Sequence, residues 1–267
     1  MATFSELSNL SGRTALITGA TGGLGKVFAE TLAELGANLL LVDLPGSDLD
    51  ALTQGLINRW QIDAKSFHCD LELGSQRSEL IKKILNLTGD LNVLINNAAF
   101  VGSSDLPGWA VDFEDQSMDT WRRALEVNLT ASFELCQGLY PKLKVSKGSS
   151  IINIASIYGM LGPDWSLYDG TNMSNPAAYG ASKGGLIQLT RWLATTISPE
   201  VRVNAISPGG IFRHQEQDFV RRYESKTPLG RMASEDDFRG IIAFLSSDLS
   251  RYVTGQVLSV DGGWTSW

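Results

Sequence analysis

Short β-rich runs, most of them aliphatic and without polar alternation, recur along this chain and are separated by longer segments of helical pattern. The runs are Ala15–Thr18, Asn38–Val42, Lys65–Cys69, Asn92–Ile95, Ser150–Ile154, Arg202–Ile206 and Gln256–Val260. A strand with one wet face alternates polar and apolar residues, whereas unbroken aliphatic runs mark strands buried on both faces. Helical pattern covers Lys26–Leu35, Leu49–Trp60, Gln76–Leu87, Asp119–Tyr140, Pro176–Thr196 and Glu235–Ser246. Strands joined by helices make right-handed crossovers, and repeated crossovers build a parallel sheet with helices on both faces. The order therefore predicts a doubly wound α/β fold with about seven parallel strands. The 267 residues show no internal repeat, low-complexity tract or linker, so one domain over 1–267 is expected.

The first run leads into Thr18-Gly19-Ala20-Thr21-Gly22-Gly23-Leu24-Gly25 and then into a helix. Such a turn lets backbone N–H groups face a pyrophosphate at the positive end of the helix. Glycine is needed where a side chain would block that approach. A glycine-rich turn alone is weak evidence, but here a strand precedes it and an acidic residue, Asp43, ends the next strand. This is the pattern of a Rossmann-type dinucleotide site, with Gly19, Thr21, Gly23, Leu24 and Gly25 at the phosphates. A carboxylate at Asp43 can accept hydrogen bonds from the adenosine ribose and would repel a 2′-phosphate. Leu44 follows it, and no Arg or Lys lies within the turn from Thr18 to Gly25. NAD is therefore expected over NADP. The competing reading is that Asp43 merely caps a loop.

Composition excludes several other classes. A net charge of -7 opposes nucleic-acid binding, which needs a basic excess. No apolar run reaches the ~18 residues of a membrane-spanning helix. Met1–Leu10 has neither the basic start nor the apolar stretch of a signal peptide, so a cytoplasmic location is expected. His68, His214, Cys69 and Cys136 are too scattered to build a metal centre, and the cysteines read as small buried hydrophobes.

Two segments carry chemistry. In Tyr179-Gly180-Ala181-Ser182-Lys183, the i and i+4 positions share one helix face. A nearby ammonium stabilises a phenolate, so the expectation is a tyrosine pKa below its usual value of about 10. That would make an acid–base group able to work nearer neutral pH. The second segment, Ile151-Ile152-Asn153-Ile154-Ala155-Ser156, is a buried strand ending in a hydroxyl, where α/β sheets place their ligands. With Asn96-Asn97-Ala98-Ala99, Asn128, Asp70 and Pro208-Gly209, these motifs resemble the short-chain dehydrogenase/reductase family over essentially the whole chain, and in the family's order.

The resemblance implies a role for each position. Tyr179 would be the acid or base on the substrate oxygen, and Ser156 would hold that oxygen. Lys183 would bind the nicotinamide ribose and tune Tyr179, while Asn128 would hold a water linking Lys183 to solvent. Asp70 and Leu71 would lie along the adenine, Asn97 and Ala98 along the adenosine side, and Pro208, Gly209 and Ile211 against the carboxamide. The family also implies a homo-oligomer, most often a tetramer, to which the aromatic C-terminus around Trp264 and Trp267 would suit an interface core.

Three departures bear on function. Ala99 stands where the family usually has Gly. Ser156 and Tyr179 are 179 − 156 = 23 residues apart, longer than is usual, and the extra residues fall in 159–175. A long loop between catalytic positions should border the substrate pocket, so Tyr158, Trp165 and Tyr168 join Ser156 as substrate-contact candidates. The alternative is that this loop packs on the body or on a partner. Arg213 occupies a place where a Thr often contacts cofactor phosphates, and is read as a contact for a substrate phosphate or carboxylate, or as that Thr's replacement. The charged residues after it, including Arg221 and Arg222, read as a solvated helix face in the family's substrate lid.

The leading expectation is an NAD-dependent oxidoreductase acting on an alcohol or carbonyl. The 156–173 stretch resembles flagellin-modification and surface-sugar dehydrogenases, implying a sugar or sugar phosphate as the small-molecule substrate. The alternatives are a 3-oxoacyl-carrier-protein reductase and a non-catalytic NAD-binding protein.

Overall fold

The computed structural model describes residues 1–101 and 106–267. The strands are β1 (Thr14–Thr18), β2 (Asn38–Asp43), β3 (Ala64–His68), β4 (Val93–Asn96), β5 (Ser149–Ile154), β6 (Val201–Pro208) and β7 (Val257–Val260). The helices are α1 (Phe4–Ser8), α2 (Gly23–Glu34), α3 (Leu49–Trp60), α4 (Gly74–Leu85), α5 (Met118–Leu125), α6 (Ala131–Leu143), α7 (Ala177–Thr196), α8 (Gln217–Lys226) and α9 (Arg239–Ser246). All seven strands run parallel in the order β3-β2-β1-β4-β5-β6-β7. The doubly wound seven-stranded expectation is borne out.

The aliphatic runs explain the layers. Side chains in a strand alternate between faces. Ala15, Ile17, Leu39 and Leu41 therefore point to one side, where they meet Phe28, Leu49, Leu56, Ile242 and Leu245 from α2, α3 and α9. Leu16, Leu40 and Val42 point to the other, against Leu80, Ile84, Leu135, Leu139 and Leu193 from α4, α6 and α7. Both faces are covered, so neither needed polar residues. The strand order reverses between β1 and β4, and the carboxyl ends of those strands border a crevice.

The continuous helix expected over Asp119–Tyr140 is instead α5 and α6 joined by a π-helical turn over Glu126–Thr130. Such a turn inserts an extra residue and re-aims side chains. Asn128, at its centre, is pulled toward the end of β4, where it exchanges hydrogen bonds with the backbone of Phe100 (2.6 and 3.2 Å). The buried Arg77 guanidinium braces the turn by pairing with Glu126 at 2.6 Å and with Glu134, while donating to the Leu71 carbonyl at 2.6 Å. Cys69 lies just beyond β3, not within it, and Cys136 lies in α6. Both thiols are free and buried, and burial pushes them up to about 11 and about 12. No helix among the described residues is long and apolar enough to cross a membrane.

Candidate active site

The turn after β1 is held from behind. Thr18 Oγ1 accepts the N–H groups of Asn97 and Ala98 at 3.0 Å each, and the Asn97 amide donates to the Thr18 and Gly19 carbonyls at 2.8 and 3.0 Å. Gly19 has φ +64°, and a Cβ there would sit 2.9 Å from Ala98 Cα. A Cβ on Gly25 would fall on the Gly19 carbonyl oxygen. The glycines thus serve the packing of turn, helix and β4 as well as access to ligand. Asn97 contributes by building this cradle, since its amide is bound to the turn. Asp43 reaches across from β2 and accepts from Thr21 N and Oγ1, both at 2.7 Å, and from Leu44 N at 2.8 Å.

A cleft of about 730 Å³ opens in front of this turn. Every residue expected along the cofactor lines it, from Gly19, Thr21, Gly23, Leu24 and Gly25 through Asp43, Asp70, Leu71, Asn97 and Ala98 to Tyr179, Lys183, Pro208, Gly209 and Ile211. The size of the cleft and the acidic wall at Asp43 fit a nicotinamide dinucleotide. The cleft also takes in Glu72, Arg123, Val127 and Gln215, which the motifs alone did not single out.

At the far end of the cleft stand Ser156, Tyr179 and Lys183. Ser156 ends the β5 segment in extended conformation and its Oγ accepts from Tyr158 N at 3.2 Å. Tyr179 and Lys183 lie one turn apart on α7. Lys183 is 2% exposed, its Nζ donates to the Ile154 carbonyl at 2.7 Å, and burial lowers its pKa from 10.5 to about 8. Nζ is 5.8 Å from the centre of the Tyr179 ring.

The expected lowering of the Tyr179 pKa is not what the structure shows. Burial is the largest influence and raises it, against smaller lowering effects from a Ser156 hydrogen bond and the Arg213 charge. The ammonium that was to stabilise the phenolate is turned to the Ile154 carbonyl instead. Asn128 is 1% exposed, and its amide is fully engaged, donating also to Ser182 Oγ at 2.9 Å. Its side chain fixes the π-turn beside α7.

A second pocket, of about 260 Å³, meets the cleft at Ser156, Tyr179, Pro208, Gly209 and Gln215. Tyr158 and Tyr168 wall it, joined hydroxyl to hydroxyl at 2.8 Å, with the Asn175 amide 3.4 Å from the Tyr168 oxygen. Met173, Phe219, Tyr223 and Met232 complete an apolar lining. Two expected substrate contacts lie elsewhere. Trp165 is 55% exposed and borders a separate outer hollow with Phe113 and Leu161, tilted against the back of Tyr168 at 5.8 Å. Arg213 lines the cofactor cleft and is absent from this pocket's lining.

The 159–175 loop does border the pocket, and charged residues fasten it to α8. Lys226 pairs with Asp164 and donates to Ser166 Oγ at 2.8 Å. Arg222 donates to the carbonyls of Leu167 (3.3 Å) and Asp169, and Glu216 accepts from Asn172 N at 2.9 Å. The charge run over α8 is therefore not merely solvated. Arg221, exposed and paired with Asp218, fits that description, but Arg222 and Lys226 tie loop to helix. The aromatic pair Phe219 and Tyr223, one turn apart, was the available sign of a buried face. Trp264 stacks on Tyr223 at 5.7 Å and is buried, so in this chain it packs behind a pocket-lining residue.

A sequence profile described as Enoyl-(Acyl carrier protein) reductase matches residues 19–265. A tropinone reductase homologue of Arabidopsis thaliana is 33% identical over 96% of this chain and 94% of its own. The chain belongs to the short-chain dehydrogenase/reductase family. The 3-oxoacyl-[acyl-carrier-protein] reductase of Aquifex aeolicus is 29% identical, covering 95% of this chain and 98% of its own. Among solved structures, a putative NAD(P) dependent gluconate 5-dehydrogenase from Beutenbergia cavernae with bound NADP superimposes at a TM-score of 0.86, with 29% identity, over 98% of this chain and 100% of its own. As a short-chain dehydrogenase/reductase the chain is an oxidoreductase of a fold that binds a nicotinamide cofactor. Its Ala99 departure is unstrained: among the described residues the only non-glycine positions with positive φ are Gln61 and His214.

Proposed function

We propose that this oxidoreductase interconverts a secondary alcohol and a ketone, using NAD(H), with Tyr179, Ser156 and Lys183 as the reacting constellation. The observation that carries this reading is the junction of cleft and pocket at Ser156 and Tyr179. When bound in the cleft, the nicotinamide supplies or accepts the hydride at the substrate carbon. Ser156 Oγ donates to the substrate oxygen and positions it beside the Tyr179 hydroxyl. In reduction Tyr179 gives its proton to that oxygen as the C–H bond forms, and in oxidation it takes the proton back. Because burial holds Tyr179 in its phenol form, the site is set for proton donation. Lys183 places a positive charge at the same end of the cleft, where it helps replace the proton that Tyr179 loses.

Asp43 supports NAD, since its carboxylate is fixed by Thr21 at the ribose end of the cleft. Among the described cleft residues the cations are Arg123, Lys183 and Arg213. Arg123 is paired to Glu72 at 2.8 Å and Arg213 to Glu235 at 3.1 Å. The pocket supports a neutral substrate. Among its described lining residues there is no Lys, Arg, Asp or Glu, so a sugar phosphate meets no countercharge, whereas a neutral cyclic alcohol or sugar meets aromatic rings and the Tyr158–Tyr168 hydroxyls. A 3-oxoacyl-carrier-protein substrate is the second reading, favoured by the Aquifex aeolicus relative. It is opposed by the net charge of -7, because an acidic carrier needs a basic rim.

The test is a substrate screen followed by NADH and NADPH absorbance. Neutral cyclic ketones are expected to turn over with NADH, at least about tenfold better than with NADPH, and Asp43→Ala is expected to narrow that preference. Turnover confined to NADPH, or to phosphorylated or carrier-linked substrates, would overturn the assignment.

We also propose a homotetramer. Met118, Phe133 and Trp192, from α5, α6 and α7, are exposed apolar side chains on helices that share one side of the sheet. Such side chains gain by being covered. Light scattering at micromolar concentration should give four times the 29.0 kDa chain mass. A monomer would contradict it.

A further inference from the structure

Arg213 and Glu235 stand directly over the phosphate-binding turn. α2 starts at Gly23 behind the N-cap residue Gly22, which has no side chain to cap it. A Cβ built on Gly23 would lie 2.6 Å from Glu235 Oε1 and 2.9 Å from Arg213 Nη2. The two groups are themselves paired, Arg213 Nε to Glu235 Oε1 at 3.1 Å. A carboxylate thus occupies the face of the turn where the positive helix end favours an anion.

The two partners are held unequally. Glu235 opens a short helical turn over Glu235–Phe238, which is fixed by reciprocal Ser234–Asp237 bonds and by Arg231 gripping Asp237 through two 2.7 Å contacts. Arg213 follows a segment laced to the same region, with Ala233 N donating to Gly210 O and Phe212 N to Ala233 O. Its side chain, however, is half-exposed, at 53%. An exposed ion pair of this kind is a weak tie, and a guanidinium fork can exchange one carboxylate for phosphate oxygens without moving its backbone.

We propose that Arg213 binds the pyrophosphate of the dinucleotide, and that Glu235 holds the guanidinium over the turn until the phosphates displace the carboxylate. This rests on the reading of the cleft as a dinucleotide site. Glu235 competes with the pyrophosphate twice, for Arg213 and for the end of α2. Arg213 is thus assigned to the cofactor and away from the substrate.

The experiment is equilibrium binding, free of turnover. NADH is titrated by its fluorescence, ADP-ribose by displacement of NADH, and melting curves confirm that each variant is folded. Arg213→Gln is expected to weaken NADH and ADP-ribose alike, by about tenfold, as for the loss of one charge-assisted bond. It should also flatten the salt dependence of binding. Arg213→Lys keeps the charge but loses the fork, and should fall between. Glu235→Gln is expected to tighten both ligands several-fold, and to lose that advantage when combined with Arg213→Gln. Unchanged ADP-ribose affinity in Arg213→Gln would overturn the assignment of Arg213. Weaker binding in Glu235→Gln would overturn the role of Glu235 as a competitor. If the unaltered protein bound neither NADH nor ADP-ribose, the dinucleotide reading itself would fall, and this proposal with it.

Discussion

Tyr179→Phe is expected to cut turnover by at least about 100-fold while leaving dinucleotide binding intact. The substitution keeps the ring, which packs beside Ala178 and Trp109, and removes only the ionisable oxygen. That oxygen sits where the cleft and the second pocket meet. The pH profile of the unaltered enzyme should carry the same signature. Burial raises the Tyr179 pKa, so the phenol stays protonated through neutral pH. Reduction, which needs the acid, should be flat there, and oxidation, which needs the base, should climb with pH. Near-normal turnover of a folded Tyr179→Phe variant, measured on a substrate from the screen, would remove this residue from the mechanism.

Lys183→Met should separate activity from stability. Turnover is expected to fall by about 100-fold, because the positive charge at the reacting end of the cleft is lost. The empty protein is nonetheless expected to become more stable near neutral pH. Lys183 carries its charge in a buried site, and the drop from 10.5 to about 8 corresponds to a cost of about 3 kcal/mol. Methionine removes that cost and keeps the stem's volume. It also leaves the Ile154 carbonyl without its 2.7 Å partner, which offsets about 1–2 kcal/mol. The net gain is about 1–2 kcal/mol, or roughly 4 °C in melting temperature.

The pH dependence has a definite sign. The folded pKa lies below the unfolded one, so between pH 8 and 10.5 the unfolded chain binds more protons than the folded one. The native enzyme therefore gains stability as pH rises through that window. The advantage of Lys183→Met should be complete below pH 8 and shrink above it. Thermal melts at pH 7 and pH 10 check this, and a variant that melts lower than the native protein at pH 7 would refute it.

The sequence by itself determined the sheet, the turn and the candidates for the reacting groups. These are legible because their signals are local. A near-continuous aliphatic run such as Asn38–Val42 has one stable place, the middle of a two-sided sheet. A glycine turn between strand and helix, and a Tyr and Lys four apart on a helix, are defined by neighbours in the chain. Tertiary structure alone decided what those groups experience. It turned Lys183 toward Ile154, 29 residues away, and it buried Tyr179, whose pKa that burial raises against the expected shift. It broke the long helix at Asn128 because that amide finds Phe100, 28 residues back. It set Arg213 over Gly23 and Glu235 beside both, and it placed Trp165 outside the pocket that Tyr168 lines. Desolvation, ion pairing and the direction of a loop depend on which distant surfaces come together, and no spacing within the chain encodes that distance.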